Sequence, residues 1–271
     1  MLSGHSRSVQ SLKWCMSRKD TLMPRETMGG LAKGLAVLEA FGKDMPRLTI
    51  SDAARVTGLS RATVSRCLNT LTEVGYTTFD GKFFSPTPRT LRIGSTYTES
   101  ASLPRLAQPH LTAIRDAIDE TASLAVRDGD NSLFIARSEG SRLLHTGVRI
   151  GTRLPLYASS TGQVLLSALS EDELADYLRA APFPERAPHT PVSAEAIEHR
   201  VKTARADGIA IGDEELEPGL LSIAVPLRDA TGRVVAAISV SASTSRTTTG
   251  DLRNRLRPVM QQHAKELSRL L

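Results

Sequence analysis

Arg61, Thr63, Ser65, Arg66 and Asn69 lie in the stretch LSRATVSRCLNTLTEVGY (59–76), and their side chains are of the kinds that read a polyanion. Asn pairs bidentately with adenine, and Arg does the same with guanine or clamps a phosphate. Short hydroxyl side chains let a helix backbone sink into a groove about 12 Å wide. On a helical wheel with Val64 at zero, Cys67, Leu68, Leu71 and Val74 gather at about 280° to 40°. Ala62, Ser65, Arg66, Asn69 and Glu73 fall on the other side, at about 100° to 200° by the same spacing. A merely solvated face would favour Glu, Lys and Gln. The chemistry on offer is hydrogen bonding to base edges and phosphates.

A second set of reactive side chains lies far downstream. In LLSIAVPLRDATGRVVAAISVSAS (220–243), a hairpin turning at Ala230 and Thr231 sets Ser222 opposite Ser239 and Ala224 opposite Ala237. Ser222, Ala224, Ala237, Ser239 and Ser241 then share one sheet face, and Leu221, Ile223, Val225, Ile238 and Val240 share the other. The apolar face is a core. The small, hydroxylated face leaves room for a ligand whose carboxylate or carbonyl accepts serine hydrogen bonds, and it equally suits close packing beneath a helix. In YASSTGQVLLSAL (157–169), Ser159, Ser160 and Thr161 cluster at a helix start, where free backbone N–H groups favour an anion. Capping alone accounts for two of these hydroxyls. Arg149 and Arg153 lie just upstream, in positions that suit either the surface or an anion site.

Catalytic constellations are not evident. The sequence holds no P-loop, no GxGxxG after a strand, no HExxH and no GxSxG. Its histidines, His145 among them, number six and are scattered. Asp213, Glu214, Glu215 and Glu217 could pair as carboxylates or hold a hard cation, and read equally well as a solvated loop. Cys15 and Cys67 stand outside any CxxC or Cys/His spacing, so neither a disulfide framework nor a zinc site is expected. Cys67 reads as a small buried apolar residue. The expectation is no catalytic residue, no metal site and no cofactor. An enzyme that turns over its ligand in the second region is the competing class, and a protein-interaction module without nucleic-acid binding is the third.

The elements that must position these residues divide the chain. Residues 1–27 read as a flexible basic arm. Residues 28–100 carry an amphipathic helix, LAKGLAVLEAF (31–41), with Leu31, Leu35, Leu38 and Phe41 on its inner side. A short helix follows, capped by Thr49 or Ser51, then a turn at Gly58 and a helix capped by Ser60. Short helix, glycine turn and second helix make a helix-turn-helix, and YTTFDGKFFS (76–85) adds a hairpin around Asp80 and Gly81 as its wing, with Lys82 at the tip for phosphate or minor groove. TPRTLRIGSTYTES (87–100) closes this region as a further helix. Residues 101–119 read as a linker helix with a bend or restart at Pro109. Residues 120–271 alternate short strands (ASLAVRDG, SLFIARSE, RLLHTGVRI), helices, and the hairpin above, before a last helix at 251–271. That is an α+β domain on an antiparallel sheet, so the fold class is mixed α/β in two domains.

Charge agrees with this division. The net charge is +5 over 271 residues, with Lys/Arg exceeding Asp/Glu by three in residues 1–27 and by three in 28–100, and falling short by one thereafter. A small basic domain on a neutral body suits a polyanion partner. No apolar run approaches the roughly 20 residues a bilayer requires, and residues 1–27 lack a signal-peptide core, so a cytoplasmic protein is expected.

The stretches GLAVLEAF, LTISDAARVTGLSRATVSRCLNTLTEVGY, LAQPHL, GTRLPLYASSTGQVLL, DEELEPGLLSIAVPLRD and GRVVAAISVSASTSR together resemble the IclR family of bacterial transcriptional regulators. Within it they are similar to the Pca/Pob-type regulators of aromatic-acid and β-ketoadipate catabolism. The resemblance runs from about Gly30 to the C-terminus and does not include the arm. It implies an N-terminal winged helix-turn-helix, a linker helix and a C-terminal effector domain of GAF-like α+β fold. It implies a palindromic DNA operator, a homodimer or tetramer, and a small carboxylate effector. It also implies an effector pocket using Thr161 and Gly162, Asp213 to Glu215, Ser222, Ser239 and Ser241.

Overall fold

The computed structural model describes residues 27–141, 148–180 and 182–271. The expected basic arm lies outside the described residues except for Thr27, as does the expected third strand of the meander, with His145, except for residues 148–150. The chain divides into two compact units after Ser100.

In the first unit, helices α1 (Gly29–Glu39), α2 (Ile50–Thr57) and α3 (Arg61–Glu73) precede a two-stranded sheet of β1 (Thr77–Phe79) and β2 (Phe84–Pro86) and a helix α4 (Leu91–Ser100). The N-cap of α2 is Thr49, whose hydroxyl accepts from the Asp52 N–H while Asp52 accepts from the Thr49 N–H, a reciprocal capping box. Gly58 ends α2 in the left-handed region at φ 71°, which only glycine enters without a Cβ penalty. Val37, Leu48, Ala53, Val64, Leu68 and Phe84 form the buried core.

Two apolar assignments are corrected here. Leu31 and Leu35 are exposed and Val37 takes the buried position of α1. At 100° per residue, Leu35 lies about 200° round the helix from Val37, so one face is chosen and the other faces out. Val74 is also exposed, because α3 ends at Glu73 and the chain leaves the helix there. Cys67 is half-buried against the edge of the core.

The second unit opens with α5 (Ser102–Ile118) and is built on a six-stranded antiparallel sheet in the order β5-β4-β3-β8-β7-β6. Its strands are β3 (Thr121–Asp128), β4 (Asn131–Ser138), β5 (Arg153–Pro155), β6 (Ala210–Asp213), β7 (Leu220–Arg228) and β8 (Val234–Ser243). Between β5 and β6 come α6 (Ser160–Leu166), α7 (Glu171–Arg179) and α8 (Ala194–Asp207). A helical turn Thr249–Asp251 and a π-helical turn Leu252–Leu256 lead into α9 (Arg257–Ser268). Expected as a connector, α5 buries Ala107, Leu111, Ile114 and Ile118 in the same core as Ile223, Ile238, Val240, Met260 and Leu267. Pro109 lies inside this helix. A second core lies on the opposite sheet face, where Ala210, Ala224 and Ala237 meet Val164, Leu165, Ile197 and Val201 of α6 and α8. Among the described residues no helix is long and apolar enough to cross a membrane.

The β7–β8 pairing differs from expectation by two residues. Ser222 lies opposite Ser241 and Ala224 opposite Ser239. The turn is longer than expected. Asp229 N–H donates to Arg233 O, Gly232 takes φ 82°, and the Asp229 carboxylate accepts from the N–H groups of Thr231 and Arg233. A three-residue loop closed by a left-handed glycine moves the register, and the irregularity next to Arg228 absorbs the extra residue. A shift of two preserves the faces, since side chains alternate with period two.

Candidate functional site

The exposed face of α3 is set by its cap and its core. Ser60 accepts from the Thr63 N–H at 3.3 Å, and the two hydroxyls lie 3.0 Å apart. Val64 and Leu68 are fully buried, which turns Arg61, Arg66 and Asn69 to solvent and leaves Thr63 and Ser65 half-buried. The hydroxyl of Thr63 is therefore tied into the helix start. In the wing, Asp80 accepts from the N–H groups of Lys82 and Phe83 at 2.9 and 2.7 Å, and Gly81 adopts φ 98°. Those N–H bonds hold the Asp80 carboxyl below the usual carboxylate range. Lys82 Nζ lies 5.1 Å from the Phe83 ring centre, and the Arg47 guanidinium 4.4 Å from the same ring. Arg47 escaped the sequence reading, because it lies outside the helix-turn-helix and only the fold brings it to the wing.

In the second unit, a cavity opens between the sheet and the start of α6. It is lined by Ser123, Phe134, Arg137, Val148, Leu154, Ala158 to Thr161, Gly212, Glu215, Leu216, Leu220, Ser222, Ser239 and Ser241. Pairing explains the lining. Ser123 lies opposite Arg137 and Ser239, Ser241 opposite Ser222, and Ser222 opposite Gly212, so all share one face. A Cβ on Gly212 would come within 2.7 Å of Ser222 Oγ, so this glycine leaves that hydroxyl its space. The hydroxyls of Ser123, Ser222, Ser239 and Ser241 take no hydrogen-bond partner among the described residues. At the start of α6 two hydroxyls are committed: Ser159 Oγ donates to Pro155 O and accepts from the Gly162 N–H, and Thr161 Oγ1 donates to Ser132 Oγ at 3.0 Å. Thr161 still borders the cavity.

Among the described residues, Arg137 is the cation of this cavity. Only 12% of its side chain is exposed, and its Nε lies 3.4 Å from Glu139 but makes no hydrogen bond. Burial pushes its pKa down. Arg149 and Arg153, the upstream candidates, go elsewhere: Arg149 is exposed, and Arg153 pairs with Asp128 at 2.9 Å near solvent. A β-bulge hides Arg137 from simple alternation. Ala125 pairs with Phe134 but Leu124 with Ala136, so Ile135 is extra, and the odd-numbered Arg137 joins Ser132 and Phe134 on the cavity face.

The acidic run 213–217 separates in space. Glu214, at φ 50°, accepts from the Gly219 N–H at 2.7 Å and closes its own loop. Glu215 turns inward and is 1% exposed, with Oε2 accepting from Gln163 Nε2 at 2.5 Å. Arg200 Nη2 lies 2.8 Å from Oε1, off the line that a hydrogen bond needs. Burial pushes the Glu215 carboxyl up to about 7, against the pull of Arg200 and Gln163.

Two family models match this chain, the IclR helix-turn-helix domain over residues 30–81 and the bacterial transcriptional regulator IclR C-terminal domain over residues 95–269. The chain belongs to the IclR family of transcriptional regulators. Among its relatives, the Pca regulon regulatory protein of Pseudomonas putida is 40% identical over 89% of this chain and 83% of its own length. A transcriptional regulator from Rhodococcus, solved as a crystal structure, is also 40% identical, with a TM-score of 0.75 over 90% of this chain and 98% of that one. The PobR inducer-binding domain from Acinetobacter, a double mutant in complex with 3-hydroxybenzoic acid, is 29% identical, with a TM-score of 0.60 over 63% of this chain and all of that one. In this IclR-family chain, Thr161, Ser222, Ser239 and Ser241 border one cavity, together with Glu215, whereas Gly162 and Asp213 are not part of its lining. A Cβ on Gly162 would fall 2.1 Å from Leu156 O, so that glycine serves close packing of α6. Asp213 ends β6, and its carbonyl lies 3.0 Å from His189 Nδ1.

Proposed function

We propose that this IclR-family regulator binds a palindromic operator as a homo-oligomer and responds to an aromatic carboxylate held in the cavity of the second unit. The observation that carries the ligand assignment is the buried, underbonded Arg137 on a cavity lined by unpartnered serine hydroxyls. A guanidinium withdrawn from water favours a carboxylate, and Phe134, Leu154 and Leu220 offer apolar walls to a ring. Glu215, whose carboxyl burial pushes up to about 7, can donate to a ring hydroxyl when protonated. The PobR domain solved with 3-hydroxybenzoic acid supports this ligand class. On the DNA side, Arg61, Ser65, Arg66 and Asn69 read or clamp the major groove with Thr63 at its edge, and Lys82 with Arg47 meets backbone. For the homo-oligomer, the support is apolar surface that the first unit leaves exposed: Leu31 and Leu35 on α1, Leu91, Ile93 and Tyr97 on α4.

The test is thermal stability of the full-length chain against 3-hydroxybenzoate, 4-hydroxybenzoate, protocatechuate, β-ketoadipate, glyoxylate and pyruvate. A selective aromatic acid at 100 times its Kd is expected to add about 2.7 kcal/mol, and Arg137→Gln to abolish that gain while operator binding persists. A response to glyoxylate or pyruvate alone, or a full response in Arg137→Gln, removes the aromatic-carboxylate assignment.

A further inference from the structure

On the sheet face away from the cavity, His110 of α5 and His263 of α9 bring their Nδ1 atoms to 3.2 Å of each other. Glu266, on the same face of α9 as His263, places Oε2 3.8 Å from His110 Nδ1 and 3.5 Å from His263 Nδ1. Gln262 Nε2 donates to Glu266 Oε1 at 3.1 Å, which leaves Oε2 turned to the two rings. Three electron-pair donors from two helices thus converge on one point. The helices are fixed by the core between them, Leu111 and Ile114 from one and Met260 and Leu267 from the other. The two histidine side chains retain 17% and 19% of their exposure, so the point is sheltered yet reachable from solvent.

A four-coordinate zinc ion holds imidazole nitrogen at about 2.0–2.1 Å and carboxylate oxygen at about 2.0–2.2 Å, which sets neighbouring donors about 3.3–3.5 Å apart at a tetrahedral angle. The observed 3.2, 3.5 and 3.8 Å bracket that spacing. Calcium and magnesium are poor fits, because they take six or more oxygens. A hydrogen bond between the rings accounts for the nitrogen pair but leaves Oε2 of Glu266 at ion-pair distance without a hydrogen bond. The geometry points to a binding site for one zinc-class transition-metal ion held by His110 Nδ1, His263 Nδ1 and Glu266 Oε2, its fourth position left to water or an added ligand. A bound ion staples the first helix of the second unit to its last. The site is separate from the effector cavity and does not depend on that assignment.

Chelator-stripped full-length protein titrated with Zn(II) against a chromophoric competitor tests this. One equivalent per chain is expected to bind and to raise the unfolding midpoint. His110→Gln and His263→Gln are each expected to weaken this uptake more than about 100-fold, beyond the 10–100-fold typical of outer-sphere partners. Glu266→Gln, at a half-exposed position that tolerates the change, is expected to weaken it as well, with the metal-free midpoint and circular dichroism of each variant reporting that it folds. His189→Gln, which touches a separate group of His189, Asp213 and Glu214, is expected to leave uptake unchanged. No stoichiometric uptake by the wild type, wild-type affinity in Glu266→Gln, or loss of uptake confined to His189→Gln overturns the assignment.

Discussion

Glu215 holds its carboxyl almost wholly withdrawn from solvent, and Arg200 and Gln163 offset only part of that cost. Its pKa is about 7 in the folded chain against an ordinary 4.5, so the folded state binds the proton more tightly than the unfolded one. The stability this confers is complete below the unfolded value and is lost as pH rises through about 7. Relative to Glu215→Gln, the wild type is therefore expected to lose about 3 kcal/mol between pH 4.5 and 8. Parallel denaturation curves for the two proteins across that range would refute the buried-acid account. A second residue-scale expectation concerns Arg66, exposed on α3. Arg66→Ala is expected to weaken operator binding by about 1–3 kcal/mol and to relax base preference, read by competition between operator and scrambled duplexes. Unchanged affinity would remove Arg66 from the interface.

At the scale of elements, turns and bulges decide what the strands and helices present. Gly58 holds φ 71° with nothing near the place where a Cβ would go, so its substitution meets only the backbone preference. Gly58→Ala is expected to destabilise the first unit by about 1–2 kcal/mol and to leave ligand binding by the second unit intact. Chemical denaturation followed by a ligand titration checks both halves of that statement. The β4 bulge at Ile135 carries Arg137 to the cavity face, and Gly232 shifts the β7–β8 pairing by two residues without turning a side chain over. Alternation in the sequence therefore found the serine face with the wrong partners, and missed the arginine on that same face.

Across the whole molecule, charge and apolar surface are distributed unequally. The cationic excess lies in the first hundred residues, where the family match places the DNA-binding domain. Affinity for an operator duplex is expected to fall steeply with salt. Lys82→Ala is expected to weaken binding about equally across sequences and to reduce the slope of log K against log salt by about 1. Fluorescence anisotropy between 50 and 200 mM salt resolves a slope change of that size; an unaltered slope places Lys82 away from phosphate.

The helix-turn-helix was legible because its signals are local: a cap at Thr49 or Ser60, a glycine where the chain must turn, and apolar residues at helical spacing. The two faces of the β7–β8 hairpin were legible for a similar reason, since period-two alternation survives a register error of two. What lay beyond the sequence depended on contacts between distant segments. Leu31 and Leu35 have the apolar character of core residues, yet a core that closes around Val37 leaves them outside. Glu215 and Glu214 are adjacent, yet one is buried against Gln163 and the other closes a surface loop. His110 and His263 lie 153 residues apart, so no spacing rule could bring them together. The sequence by itself determined the local elements and the faces they carry, because those follow from neighbouring residues. Only the tertiary structure decided which faces were covered and which side chains met, because burial and convergence are properties of packed segments.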